Sequence, residues 1–179
     1  VYRFTFTASG FEPALGNPAG NSYALISSSA GSRSWTSYIQ ENTNHDILLS
    51  AKTMITAVGG FAVKLTAGSD LYEGDVVAIS GTNTVTFTTT SSLAPIGVVY
   101  GSALQNSNVW VVVSGMARVR GQSDETLTLN QYVFTSGEPG RAHGSSSAPT
   151  STNFNQVIGH CVETASGNGE LGLVVLQFN

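Results

Sequence analysis

The chain has 179 residues, of which 41% are hydrophobic and only 10% are charged, and its formal net charge at pH 7 is −4. Soluble domains usually carry about 25% charged residues, so Ser, Thr, Asn and Gly here take the place of an ionic surface. The 7 basic residues are too few and too scattered for phosphate binding, so no nucleic-acid partner is expected. An uncharged polar surface is easily desolvated and suits a protein buried in an assembly, but an exposed extracellular β protein would have the same composition.

The N-terminal segment is the least regular part of the sequence. Aromatic residues Tyr2, Phe4 and Phe6 alternate with polar residues, which is the period of a half-buried strand. Residues 10–20 contain two prolines and three glycines and predict an extended loop or arm. The first strand would either lie at the edge of its own sheet or pair with a neighbouring subunit, since unpaired strand edges recruit strands.

Two aromatic residues, Trp35 and Tyr38, stand close together before the next apolar segment. Large aromatic side chains are enriched in subunit contacts, so they join Tyr2, Phe4 and Phe6 as the predicted interface residues. An exposed aromatic pair next to the amides of residues 40–42 is also typical of a glycan-binding site. A host-surface glycan is therefore an alternative ligand.

Residues 44–58 predict a helix. The apolar residues of this segment recur at helical spacing, Asn44 can cap its start, and Gly59 and Gly60 can end it. A pair of strands is the alternative, because Thr53 and Ile55 belong to a β-branched series.

From residue 61 onward the sequence is typical of β structure. Gly, Asn, Ser and Pro separate short apolar segments at intervals that suit a barrel or a sandwich. Nine strands are predicted: Phe61–Leu65, Asp75–Ser80, Thr84–Thr89, Ile96–Tyr100, Val109–Val113, Ala117–Arg120, Gln131–Thr135, Val157–Glu163 and Gly172–Phe178. The runs 109–113 and 171–178 are continuously apolar, which predicts cover on both faces, the second cover being another subunit.

An internal repeat is the strongest signal in the sequence. Residues 74–113 and 131–176 share the same order of segments: a strand, an excursion, an Ile-Gly strand, a turn and an apolar strand. Val76 aligns with Val133, Gly97 with Gly159, and Val111 with Val174, at offsets of 57, 62 and 63 residues. The offset changes within a loop, where insertions are expected. The two glycines are expected at a bulge or a close backbone crossing.

These elements predict an all-β fold, a small barrel or sandwich built from two tandem repeats, with an irregular N-terminal segment and one short helix. The predicted organisation is an N-terminal arm over residues 1–60, including the helix at 44–58, followed by a barrel-like domain over residues 61–179. No run of 18 apolar residues occurs, so no membrane insertion is expected.

The repeat resembles the small β domains of tailed-bacteriophage virion proteins. The residues that carry the resemblance, over about 70–179, are Gly-Asp-Val-Val at 74–77, Pro-Ile-Gly-Val at 95–98, Tyr-Val-Phe at 132–134 and Ile-Gly at 158–159. Such domains occur in capsid decoration or cement proteins and in head or tail fibres. The resemblance implies a location on the virion surface and assembly as a homotrimer, with the major capsid protein or other virion proteins as partners. It brings no catalytic residues.

The ionisable residues do not suggest a catalytic site or a cofactor. The three histidines His45, His143 and His160 are far apart in sequence, and no zinc, phosphate-binding or nucleophile-elbow motif is present. The single cysteine, Cys161, lies in an apolar run and is expected to be a buried, inert thiol. No catalytic residue, cofactor or metal is therefore predicted.

Asp70, Glu73 and Asp75 form the one acidic cluster for which a metal site is an alternative interpretation. Calcium takes six to eight oxygen ligands, which three carboxylates and turn carbonyls could supply. The simpler interpretation is a tight turn in which Gly74 has positive φ and Asp75 begins a strand.

The sequence thus predicts a non-enzymatic virion structural protein that acts by self-association and by docking on neighbouring particle proteins. Three alternatives stay open: a glycan-binding adhesin tip, a secreted filament subunit assembled by exchange of its N-terminal strand, and an enzyme.

Overall fold

The computed structural model describes residues 24–27, 33–36, 40–41, 44–88 and 94–178. The strands in this part of the chain are β1 (Ala24–Ser27), β2 (Arg33–Thr36), β3 (Gln40–Glu41), β4 (Ile47–Ser50), β5 (Thr53–Ile55), β6 (Phe61–Ala67), β7 (Val76–Gly81), β8 (Thr84–Phe87), β9 (Gly97–Tyr100), β10 (Asn108–Arg120), β11 (Tyr132–Thr135), β12 (Ala142–Ser145), β13 (Val157–Glu163) and β14 (Leu171–Leu176). Within those ranges the helical structure is one 3-10 turn at Phe154–Gln156. The predicted all-β class is confirmed.

Strand pairing closes a ring in the first repeat. The antiparallel pairs β10–β9, β9–β7 and β7–β8 are followed by a parallel β8–β6 pair. Strand β6 then pairs with the first half of β10, which completes the circuit. We call β6 to β9 with residues 108–113 of β10 the first unit.

The same circuit recurs in the second repeat. The antiparallel pairs β14–β13, β13–β11 and β11–β12 follow the same order, and a parallel bridge joins Ala142 of β12 to Gly121, at the end of β10. The second half of β10 pairs with β14. Residues 115–176 form the second unit, so one long strand closes the first unit and opens the second.

The strands are rich in Val because a closed ring of pleated strands needs compact side chains on its inner face. Val77, Val85, Val99 and Val111 are each 2% exposed or less and form one apolar cluster inside the first unit. A second cluster includes their counterparts Val133, Ala142, Cys161 and Val174. Complete burial of a side chain of this size contributes roughly 1.5–3 kcal/mol. The first cluster lies within the first unit, whereas the second also includes Val76, Val98 and Val112 of the first unit.

Gly97 and Gly159 occupy equivalent close crossings, as the sequence predicted. A Cβ added to Gly97 would lie 2.6 Å from the carbonyl oxygen of Val112, and one on Gly159 would lie 1.9 Å from that of Val175. Real Cβ atoms do not approach backbone oxygens so closely. In both units, therefore, glycine lets the Ile-Gly strand lie against the following strand.

The predicted helix at 44–58 is wrong. This segment forms the antiparallel hairpin of β4 and β5, with Ile47 opposite Ile55 and Leu48 opposite Met54. Apolar residues at helical spacing also fit two short strands joined by a turn. Strand β5 pairs with β6, so backbone hydrogen bonding to an existing sheet decides against the helix.

All nine predicted strand segments are present, with two differences. The segments 109–113 and 117–120 form one strand, β10. Strand β12 lies in a Gly/Ser-rich stretch that contains no run of β-branched residues, so no local pattern predicts it. The predicted strand at residues 2–7 and the loop at 10–20 lie outside the described residues, and the division into domains at residue 60 stays a prediction.

Candidate interaction surface

The outward face of the first unit is covered by the chain itself. Cross-strand pairing puts Val76, Val98, Val112 and Ala62 in one row on this face. Each is 1% exposed or less, although none of them faces the core inside the ring. Met54 of the hairpin is opposite Ala62 and extends the row, which belongs to a single apolar cluster.

The segment from Asp46 to Gly60 covers the Val112 end of this row, whereas the N–H of Val76 donates to the carbonyl oxygen of Gly140 in the second unit. The hydroxyl of Tyr100 on β9 donates to Oδ1 of Asp46 at 2.7 Å, and the N–H of Ala57 donates to the same oxygen at 2.8 Å. Asp46 is 1% exposed. Burial and the Asp46 carboxylate raise the pKa of Tyr100 to about 12. A Cβ on Gly60 would lie 2.6 Å from Cγ1 of Val112, so only glycine lets the segment approach this closely.

The equivalent row of the second unit is more accessible: Val175 is exposed, and the other three residues are half-buried. It consists of Tyr132, His160, Val175 and Met116, which are successive cross-strand partners. Val175 is 41% exposed, whereas its counterpart Val112 is buried. The Tyr132 and His160 rings are in contact, with centroids 4.1 Å apart.

A second row lies beside the first on the same outward face. Leu173 is opposite Glu163 on one side and Arg118 on the other, and both charged residues are exposed. Val162, in the bulge of β13, is 40% exposed. We call this surface, comprising the two rows and Val162, the second-unit face. It has an apolar centre and a rim with one carboxylate and one guanidinium.

The β4–β5 hairpin carries another exposed apolar surface. Its inner residues Leu48 and Met54 pack in the core cluster. Ile47, Leu49 and Ile55 are 37%, 39% and 37% exposed; we call these three residues the hairpin face. The run Ile47-Leu48-Leu49 has no polar alternation, which is typical of a strand covered on both sides.

No family model matches the sequence, and no curated protein matches it. Among solved structures, the chain is similar to the head fibre gp8.5 N base of bacteriophage phi29, with 16% sequence identity and a TM-score of 0.49. The similarity covers 65% of this chain and 92% of that chain. A TM-score this low does not establish a common fold, and the likeness leaves the function of the chain open.

Five residues were predicted as an interface from the sequence. Tyr2, Phe4, Phe6 and Tyr38 lie outside the described residues. The backbone of Trp35 belongs to β2, opposite Leu25 of β1. Their role at an interface stays a prediction.

Two of the three carboxylates proposed as an alternative calcium site accept backbone hydrogen bonds. Oδ2 of Asp75 accepts the N–H of Tyr72 at 2.8 Å, and Oδ1 of Asp70 accepts the N–H of Gln105 at the same distance. Gly74 has a φ of 84°, as the turn interpretation requires. Across residues 44–88 and 94–178, no group of three His, Cys, Asp or Glu side chains lies close enough to hold a metal ion.

The cysteine and two histidines of the second unit pack against neighbouring residues. Cys161 is 1% exposed, as predicted, and burial raises the pKa of its thiol. His143 stacks on Phe134 with ring centroids 5.4 Å apart. His160 contacts Tyr132 on the second-unit face instead.

A small cavity of about 150 Å³ lies between the covering segment and strands β9 and β10. Val58, Tyr100 and Val112 contribute to its wall, and Glu73 and Arg118 are its charged residues. Sites for drug-sized ligands enclose roughly 300–1,000 Å³, so this cavity is smaller than a typical ligand site. The described part of the chain is also without a helix long and apolar enough to span a bilayer.

The sequence alone did not point to the residues of the two exposed faces. A partial signal was the continuous apolar run 171–178, which predicted a second cover by another subunit. The run 109–113 gave the same signal, yet the chain covers that strand with its own hairpin. Only the strand pairing distinguishes the two cases.

Proposed function

We propose that this chain is a non-enzymatic structural protein of a tailed-phage-like virion, working at the particle surface by docking on copies of itself and on neighbouring particle proteins. The observation that carries the proposal is the contrast between the two units. The outward row of the first unit is buried, whereas the equivalent row of the second is exposed at Val175. Exposed contiguous apolar patches on soluble proteins usually mark interaction sites.

Three further observations support this function. The chain carries few charges, so contact surfaces are desolvated at low cost. The carboxylates of Asp70 and Asp75 accept backbone hydrogen bonds, and the thiol of Cys161 is buried in the core. The repeat resembles virion β domains over residues 70–179, and this resemblance is the basis for the proposed location and for trimeric assembly.

The test is to purify, by density gradient, the particles produced by the genome that encodes this chain and to analyse their proteins by quantitative mass spectrometry. We expect the chain at many copies per particle, with a fixed ratio to the major capsid protein or to a fibre protein. Gold-labelled antibody against the chain should mark the particle exterior. Absence from purified particles, with expression in the host confirmed, would contradict the proposal.

A further inference from the structure

We propose that the second-unit face of one copy binds the hairpin face of another copy, so that the chain associates head to tail. This inference deepens the proposed function, because it names the partner and the orientation of the self-association proposed above.

The internal repeat shows what kind of element covers such a face. In the first unit the Val112 end of the equivalent row is covered by the segment 46–60, which contains the β4–β5 hairpin. The second unit has the same strands in the same order, but there the row ends at Met116, whose carbonyl oxygen lies next to Gly60. No hairpin of the described chain follows it. An apolar hairpin is therefore the element that the second-unit face lacks.

The same chain presents a hairpin with an unused apolar side. The inner residues Leu48 and Met54 pack in the apolar cluster that contains Ala62 and Val112, while Ile47, Leu49 and Ile55 are each more than a third exposed. One copy therefore carries both partners of the contact, a face without a hairpin and a hairpin with a free face. Because the two surfaces differ, the contact is heterologous and can continue from copy to copy.

The rim of the second-unit face carries both Glu163 and Arg118, so charge bears on the orientation of docking rather than on net attraction. The hairpin turn carries Lys52, which is exposed. The rim of the second-unit face carries Glu163, also exposed, beside Leu173. A cation at the tip of the hairpin and an anion at the rim of the face favour docking with the turn towards Glu163. Rim charges of this kind act mainly on orientation and association rate.

The experiment measures the mass of the purified chain by sedimentation velocity over a wide range of concentration. Wild type should associate beyond a dimer as concentration rises. Val175→Asp in the face and Leu49→Asp in the hairpin should each weaken association at least about tenfold. Val162→Asp and Ile47→Asp are second variants of the same two surfaces. Ile79→Asp, at a residue 56% exposed on β7, is the matched control and should associate like wild type. Circular dichroism establishes that each variant is folded.

Mixing the variants distinguishes head-to-tail contact from symmetric contact. Val175→Asp retains an intact hairpin and Leu49→Asp retains an intact face, so an equimolar mixture should form a dimer with one intact junction and nothing larger. A charge exchange adds a second readout. Lys52→Glu and Glu163→Lys should each weaken association when tested alone. A mixture of these two variants should restore association, because the changed residue of one then faces the changed residue of the other.

Three results would overturn the inference. The first is a wild-type chain that stays monomeric at every concentration. The second is loss of association in Val175→Asp but not in Leu49→Asp, which would assign the contact to two copies of the second-unit face. The third is the reverse pattern, which would assign it to two hairpins. If the purified chain is monomeric in solution but present in purified particles, this contact is refuted and the proposed virion function stands. If the purified chain associates head to tail but is absent from particles, the proposed virion function is refuted and this contact stands.

Discussion

Asp75 and Gln131 occupy the same position in the two units. Oδ2 of Asp75 accepts the N–H of Tyr72, and Oε1 of Gln131 accepts the N–H of Thr128, each at 2.8 Å and each three residues back in the chain. The residue before each has positive φ: 84° at Gly74 and 70° at Asn130. A charged and a neutral side chain thus close the same turn.

This equivalence predicts the effect of removing the Asp75 charge. Burial raises the pKa of Asp75, while the Tyr72 N–H and two arginines oppose the shift. A raised pKa in the folded state means that the stability contributed is full at low pH and is lost as pH rises through that pKa. Asp75→Asn keeps an acceptor for Tyr72 and should be at least as stable as wild type at pH 7, measured by urea unfolding.

The matched variants separate charge from hydrogen bonding. Asp75→Ala and Gln131→Ala should each lose about 1 kcal/mol of unfolding free energy through the missing acceptor. The difference between wild type and Asp75→Asn should narrow towards pH 3, where the carboxyl is protonated in both the folded and the unfolded chain. A constant difference across pH would count against the role of the charge.

The glycine crossings should not tolerate a methyl group. Gly97→Ala and Gly159→Ala place a Cβ within 2.6 Å and 1.9 Å of a backbone oxygen, so the strands must separate, at a cost of about 3 kcal/mol or more. Chemical denaturation measures the loss. Gly137→Ala is the control, because a Cβ there meets nothing within 4 Å. Equal stability of all three variants would show that the crossings are not tight.

The phenol of Tyr100 should lose its proton at a higher pH than an ordinary tyrosine. The phenolate absorbance that is missing from a Tyr100→Phe variant should appear near pH 12, whereas the ordinary value is 10.0. Since the folded-state pKa is raised, its contribution to stability is complete below pH 10 and is lost as pH rises from 10 towards 12. The stability advantage of wild type over Tyr100→Phe should therefore disappear over this interval. A difference spectrum that titrates at the ordinary value would mean that the Asp46 contact does not form.

A buried and an exposed valine in paired positions of the repeat should respond differently to charge. Val112→Asp puts a carboxylate at a position that is 1% exposed, which should cost roughly 3–5 kcal/mol and threaten folding. Val175→Asp, at a position 41% exposed, should cost less than about 1 kcal/mol. Thermal unfolding of the two variants at low protein concentration measures both. Similar losses would place Val175 in the core of the isolated chain.

The order of strands was predictable because each unit repeats the same pattern of Gly, Val and turn residues. The alignment of the first strands was wrong by one residue. The sequence aligned Val76 with Val133, whereas the turn hydrogen bonds align Asp75 with Gln131, so that Val77 is the counterpart of Val133. Val76 and Val77 are both fully buried, and a strand covered on both faces has no alternation to fix its register.

The hairpin and the exposed faces were not predictable for a related reason. Whether an apolar run is covered by its own chain or exposed to solvent depends on long-range strand pairing, such as that of β5 with β6. No local sequence pattern predicts such pairing. Val112 and Val175 have the same residue type and the same strand position, yet one is buried and the other is 41% exposed. The placement of residues 46–60, where Gly60 lies against Val112, contributes to the difference.

Strand β10 runs without interruption from Asn108 to Arg120 and bends at Gly115, where φ is 84°. A Cβ at Gly115 would lie 2.4 Å from the carbonyl oxygen of Gly59, so the bend is held by backbone rather than by side chains. No flexible linker lies between the two halves of the molecule at this point, and tilting one against the other requires breaking the ladder hydrogen bonds of β10. Under a pulling or shearing load the two units should therefore move together as one rigid body rather than independently.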